Sequence, residues 1–475
     1  PGGRPARNQR PGDGLQAPPG DSRQHGRYDG VMFDSTVPVL PERIGKYRIV
    51  RRLGEGTTAE VFLGHDEFHD RPVAVKRVRA AALADSVDGH VFARFFASEA
   101  ALAGRLHHPN VVQIYDAVPD PIAPYVVMEY VPGTTLRAWC QPGHQLGLEQ
   151  IVEVGFKCAM ALGYCYRQGL VHRDVKPANI LTIDTSGTVT DVKVTDFGSA
   201  LNLTSDATQV HRVGSLAYMS PEQLDGSQLD ARADIYSLGA VLYHLIAGRA
   251  PFEASNQASL MHQICHTDAP SLVGQRSGVT EALDRVVQRC LAKRADHRYP
   301  SWEALGEALS QLIALHHVPR GALQGVLDSE RFTLLRQLEF FTQFGDVALW
   351  EVVHRARWQR FPVGHKLYTR GDEGRSFHII AAGAVEVYRD GRRVAQLGSG
   401  TSVGEMAYLA PSPELRQHST DVVVTEKATT ISFTPEALAR LSPSCRHLFD
   451  EAFIRVLVRR LHAAHEALAH PRRIL

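Results

Sequence analysis

The chain has 475 residues, too many for one hydrophobic core, and at roughly 100–200 residues per domain it is expected to fold as two or three units. Its 52 Lys plus Arg against 51 Asp plus Glu leave a formal charge of +1, so no overall field draws it to nucleic acid or a membrane surface; no apolar run approaches the roughly 20 residues of a bilayer span. Six cysteines, Cys140, Cys158, Cys165, Cys265, Cys290 and Cys445, lie without close pairs, which argues against a disulfide framework or a zinc site and fits reduced thiols in a cytoplasmic protein.

Residues 1–40 are rich in Pro, Gly, Arg and Asp; they read as a disordered tail, too apolar-poor to offset the entropy of ordering and without a signal-like hydrophobic stretch. From residue 41, β-branched runs alternate with turn signals (YRIVRRLG, AEVFLGHD, PVAVKRV, VVQIYDAV, YVVMEYV), interrupted by a helical stretch from about Val91 to Leu106. This predicts a small strand-rich lobe carrying one helix. From Leu148 to about His316, apolar residues recur at three- and four-residue spacing, as in IVEVGFKCAMALGYCYRQG and SLGAVLYHLIAG, and predict a mainly helical lobe. A linker is expected over residues 317–330. Over residues 331–440 a helical stretch gives way to strands broken by glycines, Phe361 to about Phe433, which reads as a small β-barrel or jelly roll. A last helix within residues 441–475 carries an apolar stripe (Leu448, Phe449, Phe453, Ile454, Leu457, Leu461) that packs on the barrel or on a partner.

Several motifs carry chemistry. GEGTTAEV, with Gly54 and Gly56 between two strand runs, lets backbone approach phosphates where a β-carbon would clash; alone it also fits an ordinary hairpin turn. Lys76 ends an apolar strand, where an unpaired ammonium is expensive, and Glu99 in the following helix is in place to pair with it. HRDVKPANIL then brings His172, Arg173, Asp174, Lys176 and Asn179, followed by Asp196-Phe197-Gly198. A carboxylate for a nucleophile and oxygen donors for hard cations are what phosphoryl transfer needs.

At this spacing residues 47–315 resemble the protein kinase family, and the wording of VMEYVPGTTL and VHRDVKPANIL resembles bacterial kinases of eukaryotic type. The resemblance implies an α+β, bilobal kinase fold that transfers a phosphate from ATP, with Asp174 as catalytic base, Lys176 beside it, Lys76 on the ATP phosphates, and Asn179 and Asp196 on Mg2+. It places Leu53, Gly54, Glu55, Gly56, Val61, Ala74, Glu129, Val131 and Leu181 around ATP, with Glu99 paired to Lys76. It also implies that Glu222 pairs with Arg298 and that Asp234 braces the catalytic loop. Lys176 and Ser215, where such kinases usually have threonine, imply protein substrates with serine or threonine acceptors. Thr204, Ser205 and Thr208 are candidate phosphosites that would order their loop through Arg173. The chain departs from the pattern at Ala59, which replaces the third glycine. A non-catalytic scaffold of the same fold is the competing reading; such scaffolds usually lack equivalents of Lys76, Asp174 or Asp196, and all three are present.

The segment from FPVGHKLYTRGDEG to VGEMAYL resembles the cyclic-nucleotide-binding domain, a small β-barrel or jelly roll with flanking helices. The resemblance puts Gly404, Glu405, Met406 and Ala407 at the cyclic phosphate and ribose, with Arg416 as the arginine that pairs the phosphate. Arg416 stands a couple of residues later than the pattern. Two readings remain open here: a receptor for cyclic AMP or cyclic GMP that regulates the kinase, or an interaction module that supports a homo-oligomer.

Overall fold

In the computed structural model, which describes residues 40–56, 59–79, 106–120, 123–185, 188–197, 201–202, 216–319, 327–410, 412 and 415–469, the first strand runs pair into an antiparallel sheet. Its strands are β1 (Arg43–Ile44), β2 (Tyr47–Glu55), β3 (Ala59–Asp66), β4 (Arg71–Val78), β5 (Ile114–Val118) and β6 (Tyr125–Glu129), in the order β1-β2-β3-β4-β6-β5. Alternation along β4 turns Val73 and Val75, both fully buried, into a cluster with Phe62, Tyr47 and Val127. Lys76 comes between Val61 of β3 and Val126 of β6. The helix expected from Val91 lies outside the described residues, apart from its last position, Leu106.

The second lobe is built on α1 (Leu148–Arg167), buried around nearly its whole circumference, with α2 (Pro221–Leu224), α3 (Ala231–Ala247), α4 (Gln257–His266), α5 (Glu281–Cys290) and α6 (Trp302–Ala314) around it. Side-chain caps start these helices: Asp230 accepts from Arg232 N, Asn256 from Ser259 N, Thr280 from Leu283 N and Ser301 from Ala304 N. Gly248, at φ 74, closes α3. Short strands at the front of this lobe carry the loops that matter: β7 (Thr134–Thr135), β8 (Leu170–Val171), β9 (Ile180–Thr185), β10 (Thr188–Val194) and β11 (Leu201–Asn202), paired as β10-β9-β7 and β11-β8.

Past residue 326 the chain forms α7 (Asp328–Gln337) and α8 (Asp346–Arg355), then β12 (Arg357–Phe361), β13 (Lys366–Tyr368), β14 (Phe377–Arg389), β15 (Arg392–Leu397), β16 (Ser402–Val403) and β17 (Asp421–Phe433). The order β12-β17-β14-β15, with β13 on β17 and β16 on β14, wraps Ile380, Val385, Val403, Val422, Val424 and Ala428 into a core of their own. Short helices α9 (Glu405–Tyr408) and α10 (Pro435–Ala439) decorate it, and α11 (Pro443–Ala469) follows. The apolar stripe of α11 divides. Phe449 and Phe453 are buried against Phe377 and Phe433, with ring centroids as close as 4.8 Å, whereas Ile454 and Leu461, turned about 100° per residue away from that seam, are exposed. Among the described residues no helix is long and apolar enough to cross a membrane.

The helix α7 begins inside the stretch read as linker and packs on α1 and α6, so the barrel is joined to the helical lobe by more than the chain. Lys157 of α1, 2% exposed at its side chain, meets Asp328 of α7 at 2.9 Å and Asp191 of β10 at 3.1 Å. Burial would push that ammonium down, but Asp191, Asp328 and Glu153 outweigh it and hold it up. Ser329 donates its N–H to Glu153 at 3.1 Å, and Ser310 meets Thr333 at 2.9 Å. Apolar packing completes the joint: Trp350 of α8, fully buried, lies tilted against Phe332 at 4.9 Å and stands 6.2 Å from Phe156 and from His108.

Two of the buried histidines, one in each half, make an acid-stability prediction. Burial, then the nearby Lys193, Arg167 and His354, holds His108 down to about 3; burial, then His418 and Arg357, holds His378 down to about 4. Each is neutral when folded and takes a proton near pH 6.5 when unfolded, so its stabilisation is complete above pH 6.5 and is lost as pH falls toward those values. Between pH 6 and pH 4 each should steepen the loss toward about 1.4 kcal/mol per pH unit. Denaturant melts across pH 4–7 check this, with His378→Gln expected to flatten the slope; an unchanged slope in that variant would refute it.

Candidate functional site

The loop after β8 is held from below by one buried carboxylate. Asp234, 3% exposed in the first turn of α3, accepts His172 N–H at 2.7 Å and Arg173 N–H at 2.8 Å. Burial raises its pKa, and those N–H groups with the His172 and Arg173 charges pull against the rise. Arg173 sits at φ 65, a left-handed conformation that a non-glycine residue holds only when its surroundings impose it, and its carbonyl accepts from Gln223 at 2.8 Å. The turn so fixed presents Asp174. One oxygen of that carboxylate, Oδ2, accepts from Lys176 Nζ at 2.6 Å and from Asn179 Nδ2 at 3.0 Å, and the same Nδ2 reaches the Asp174 carbonyl at 2.8 Å. Asn179 therefore spends its amide nitrogen on Asp174 and keeps its oxygen for another partner.

Opposite, β10 delivers Asp196. Thr195 N–H bonds the Asn179 carbonyl at 2.9 Å, and the His172 ring bonds the Thr195 carbonyl at 3.0 Å, so the two loops are pinned together. Asp196, also left-handed at φ 68, forms an ion pair with Lys76 across the gap between the lobes. Burial favours its neutral form, but Lys76, by charge and hydrogen bond, with His172 and Lys176 behind it, holds the carboxyl below the ordinary carboxylate range. The site is thus anionic at Asp196 at neutral pH, and with the amide oxygen of Asn179 it offers hard oxygen donors that suit Mg2+.

Above this, β2 and β3 form a hairpin with Gly54 opposite Val61 and Glu55 opposite Glu60, closed by Gly56 N–H on the Ala59 carbonyl at 2.8 Å. Packing among the described residues does not demand these glycines. Of those residues, a β-carbon on Gly54 would meet nothing within 4 Å and one on Gly56 only the Ala59 carbonyl at 3.4 Å, and neither glycine has positive φ. Space kept free of side chain over the lysine and the carboxylates is what a phosphate chain requires. Ala74 and Val131 are buried, Leu53, Val61 and Leu181 partly so, and Glu129 commits its side chain to Lys193 at 3.0 Å and its N–H to Gln113 at 2.8 Å. Arg298, with no exposed side-chain surface, grips Glu222 by two bonds of 2.6 and 2.9 Å. Glu99, Gly198, Thr204, Ser205, Thr208 and Ser215 lie outside the described residues.

In the barrel, Gly404 closes β16 at φ 83, and a β-carbon there would lie 2.6 Å from the Tyr368 ring. Glu405, 1% exposed, is ion-paired to Arg460 of α11, and its Oε2 is buried without a partner among the described residues. Met406 is exposed, and Ala407 packs where a β-carbon on Gly374 would come within 2.3 Å. Arg416 is exposed; its carbonyl accepts Gly374 N–H at 2.6 Å, and its charge acts on Glu373. Among the described residues of that loop His418 is buried; its ring lies 3.9 Å from Tyr368, and burial lowers its pKa and so favours the neutral imidazole.

Residues 47–309, more than half of the chain, match the model of the protein kinase domain. The chain belongs to the protein kinase family. Residues 358–444 match the cyclic nucleotide-binding domain, so the architecture is a bilobal kinase fold followed by a jelly-roll barrel with flanking helices. Among curated proteins it is similar to the serine/threonine-protein kinase PknB of Mycobacterium tuberculosis, 36% identical over 299 residues that cover 61% of this chain and 46% of the relative. It is also similar to PrkC of Bacillus subtilis, 36% identical over 261 residues (54% and 39%), and to Pkn1 of Myxococcus xanthus, 37% identical over 290 residues (60% and 41%). The chain spans about half the length of these relatives or less.

The kinase residues that the motifs single out are brought together where they are described: Lys76, Asp174, Lys176, Asn179 and Asp196 share one network. Reading by sequence missed Arg460, His418 and the Lys157 joint. Arg460 stands next to Leu461 of the apolar stripe, and nothing in its spacing names Glu405, 55 positions away, as its partner. Lys157 did carry a signal, since it stands within the apolar run from Val154 to Leu162, where a buried ammonium needs a partner.

Proposed function

We propose that this chain transfers the ATP γ-phosphate to serine or threonine hydroxyls of protein substrates in the cytoplasm, with Mg2+ held by Asp196 and Asn179, and that the barrel regulates the transfer through the joint at Lys157. The observation that carries the first part is the shared network of Asp174, Lys176 and Asn179 facing the Lys76–Asp196 pair. Bound Mg2+ would supply charge neutralisation on the phosphates. In this reading Asp174 orients the acceptor hydroxyl and takes its proton, while the Lys176 ammonium at 2.6 Å stabilises the anionic carboxylate until then. Lys76 exchanges Asp196 for phosphate oxygens, and the bare hairpin at Gly54 and Gly56 covers them and excludes water. Phosphate transfer to a generic acceptor protein, compared between the wild type and Asp174→Asn, tests this part.

The support for regulation is a bonded path. Asp328 of α7 bonds Lys157, Lys157 bonds Asp191, and Asn110 donates to Asp191 at 2.7 Å and to the Val192 carbonyl at 2.8 Å. Val194 N–H then bonds the Asn110 carbonyl at 2.8 Å, two residues before Asp196. A displacement of α7 is therefore felt by the strand that aims Asp196.

For the barrel itself the geometry favours an interaction or regulatory module over a cyclic-nucleotide receptor. Glu405 is committed to Arg460, Tyr368 fills the space over Gly404, and the loop buries a histidine where a phosphodiester wants an arginine. Calorimetry with cyclic AMP and cyclic GMP is expected to give no saturable heat up to about 100 μM, a tenth of the weak-binding millimolar limit. Saturable heat with either, abolished by Glu405→Gln, would overturn this and restore the receptor reading.

A further inference from the structure

A second feature of the barrel is assigned by none of these resemblances. Between α11 and the turn that leads into β16 lies a cavity of about 140 Å³, lined by Ser402, Gly400, Glu339, Arg455, Arg459 and Arg460 among others. It shares no residue with the segment from Gly404 to Arg416. It is well below the roughly 300–1,000 Å³ of pockets for drug-sized ligands, so it admits a small ion or a head group and excludes a nucleotide.

Its unmet needs are specific. Ser402 is fully buried, and its hydroxyl has no hydrogen-bond partner among the described residues. Arg455 makes no ion pair among the described residues, and its Nη2 is buried without a partner. A buried donor left unsatisfied costs about 1–3 kcal/mol, so two of them beside one cavity point to a missing acceptor. The charges agree. Arg459 is paired to Glu339, and Arg460 to Glu405 and to the Ser402 carbonyl at 2.5 Å, which leaves three guanidinium groups against two carboxylates. Guanidinium has donors only, and its fork matches the oxygens of a tetrahedral anion.

We propose that this cavity binds a small phosphate-type dianion, either inorganic phosphate or the phosphate head of a phosphomonoester. Arg455 and the Ser402 hydroxyl hold it, and Arg460 is shared between the anion and Glu405. The carboxylate of Glu405 therefore competes with the ligand for Arg460.

Isothermal calorimetry on the full chain, with inorganic phosphate and O-phosphoserine as probes and sodium chloride at matched ionic strength as control, tests this. Saturable one-to-one binding is expected, weakened at least tenfold by Arg455→Gln and tightened severalfold by Glu405→Gln. Opposite shifts in these two variants would arise neither from misfolding nor from phosphate lodged near Lys76. Equal affinity for both probes assigns free phosphate as the ligand, and a tenfold preference for O-phosphoserine assigns a phosphorylated side chain. Heat no greater than the chloride control, or the same affinity in all three proteins, would overturn the proposal.

Discussion

Replacing Asp174 by Asn is expected to lower kcat for phosphate transfer by about 10²–10⁴-fold, the range in which a positioned proton acceptor contributes. The substitution keeps the shape of the side chain and removes its charge. An amide oxygen can still accept from Lys176 and Asn179, which stand 2.6 and 3.0 Å from the native Oδ2, so the loop need not rearrange, but it cannot take a proton from the acceptor hydroxyl. The Lys76–Asp196 pair lies across the gap and does not depend on Asp174. ATP affinity, followed by a fluorescent nucleotide, should therefore stay within about twofold while the rate collapses, which is the pattern for an interaction made in the transition state. A variant retaining more than about a tenth of the rate would remove Asp174 from the chemistry and revive the scaffold reading.

The residues of that network were readable because local geometry spaces them. Asp174, Lys176 and Asn179 fall within one loop whose turn is fixed by its own backbone, and Asp196 is bound to it through the neighbouring Thr195. The strands of both sheets were readable for the same reason, since alternation is a property of adjacent residues. Contacts between distant segments left no such trace. Lys157 and Asp328 are 171 positions apart, and neither the spacing nor the type of either residue names the other. The arginine expected to pair a phosphate illustrates the limit. Arg416 has the required chemistry and lies close to the required position; in the structure it is exposed, and His418, two residues on, is buried. Residue type sets what a side chain can do, and the packing of the loop decides where it points.

The joint between the two modules should respond to mutation in a way that separates stability from coupling. Asp328→Ala leaves the buried Lys157 ammonium with Asp191 and Glu153 but without its closest carboxylate, at 2.9 Å, and is expected to cost about 3 kcal/mol, the lower end for breaking a buried ion pair. That corresponds to a fall in thermal midpoint of about 3–5 °C in a chain of this size. Removing both charges with Lys157→Met and Asp328→Leu should recover part of the loss, because a buried pair replaced by apolar residues of similar volume is often neutral, while Asp191 and Glu153 lose the same ammonium. The double variant still lacks the bonded path from α7 through Lys157 to Asp191. If the barrel acts on the active site along that path, the double variant will be more stable than Asp328→Ala and yet show an equally altered kcat at unchanged acceptor KM. If the joint is only structural, restoring stability will restore the rate as well, and the regulatory part of the proposal fails. Urea melts and steady-state kinetics on the same three proteins give both readings, and the contrast between the single and double variants carries the decision.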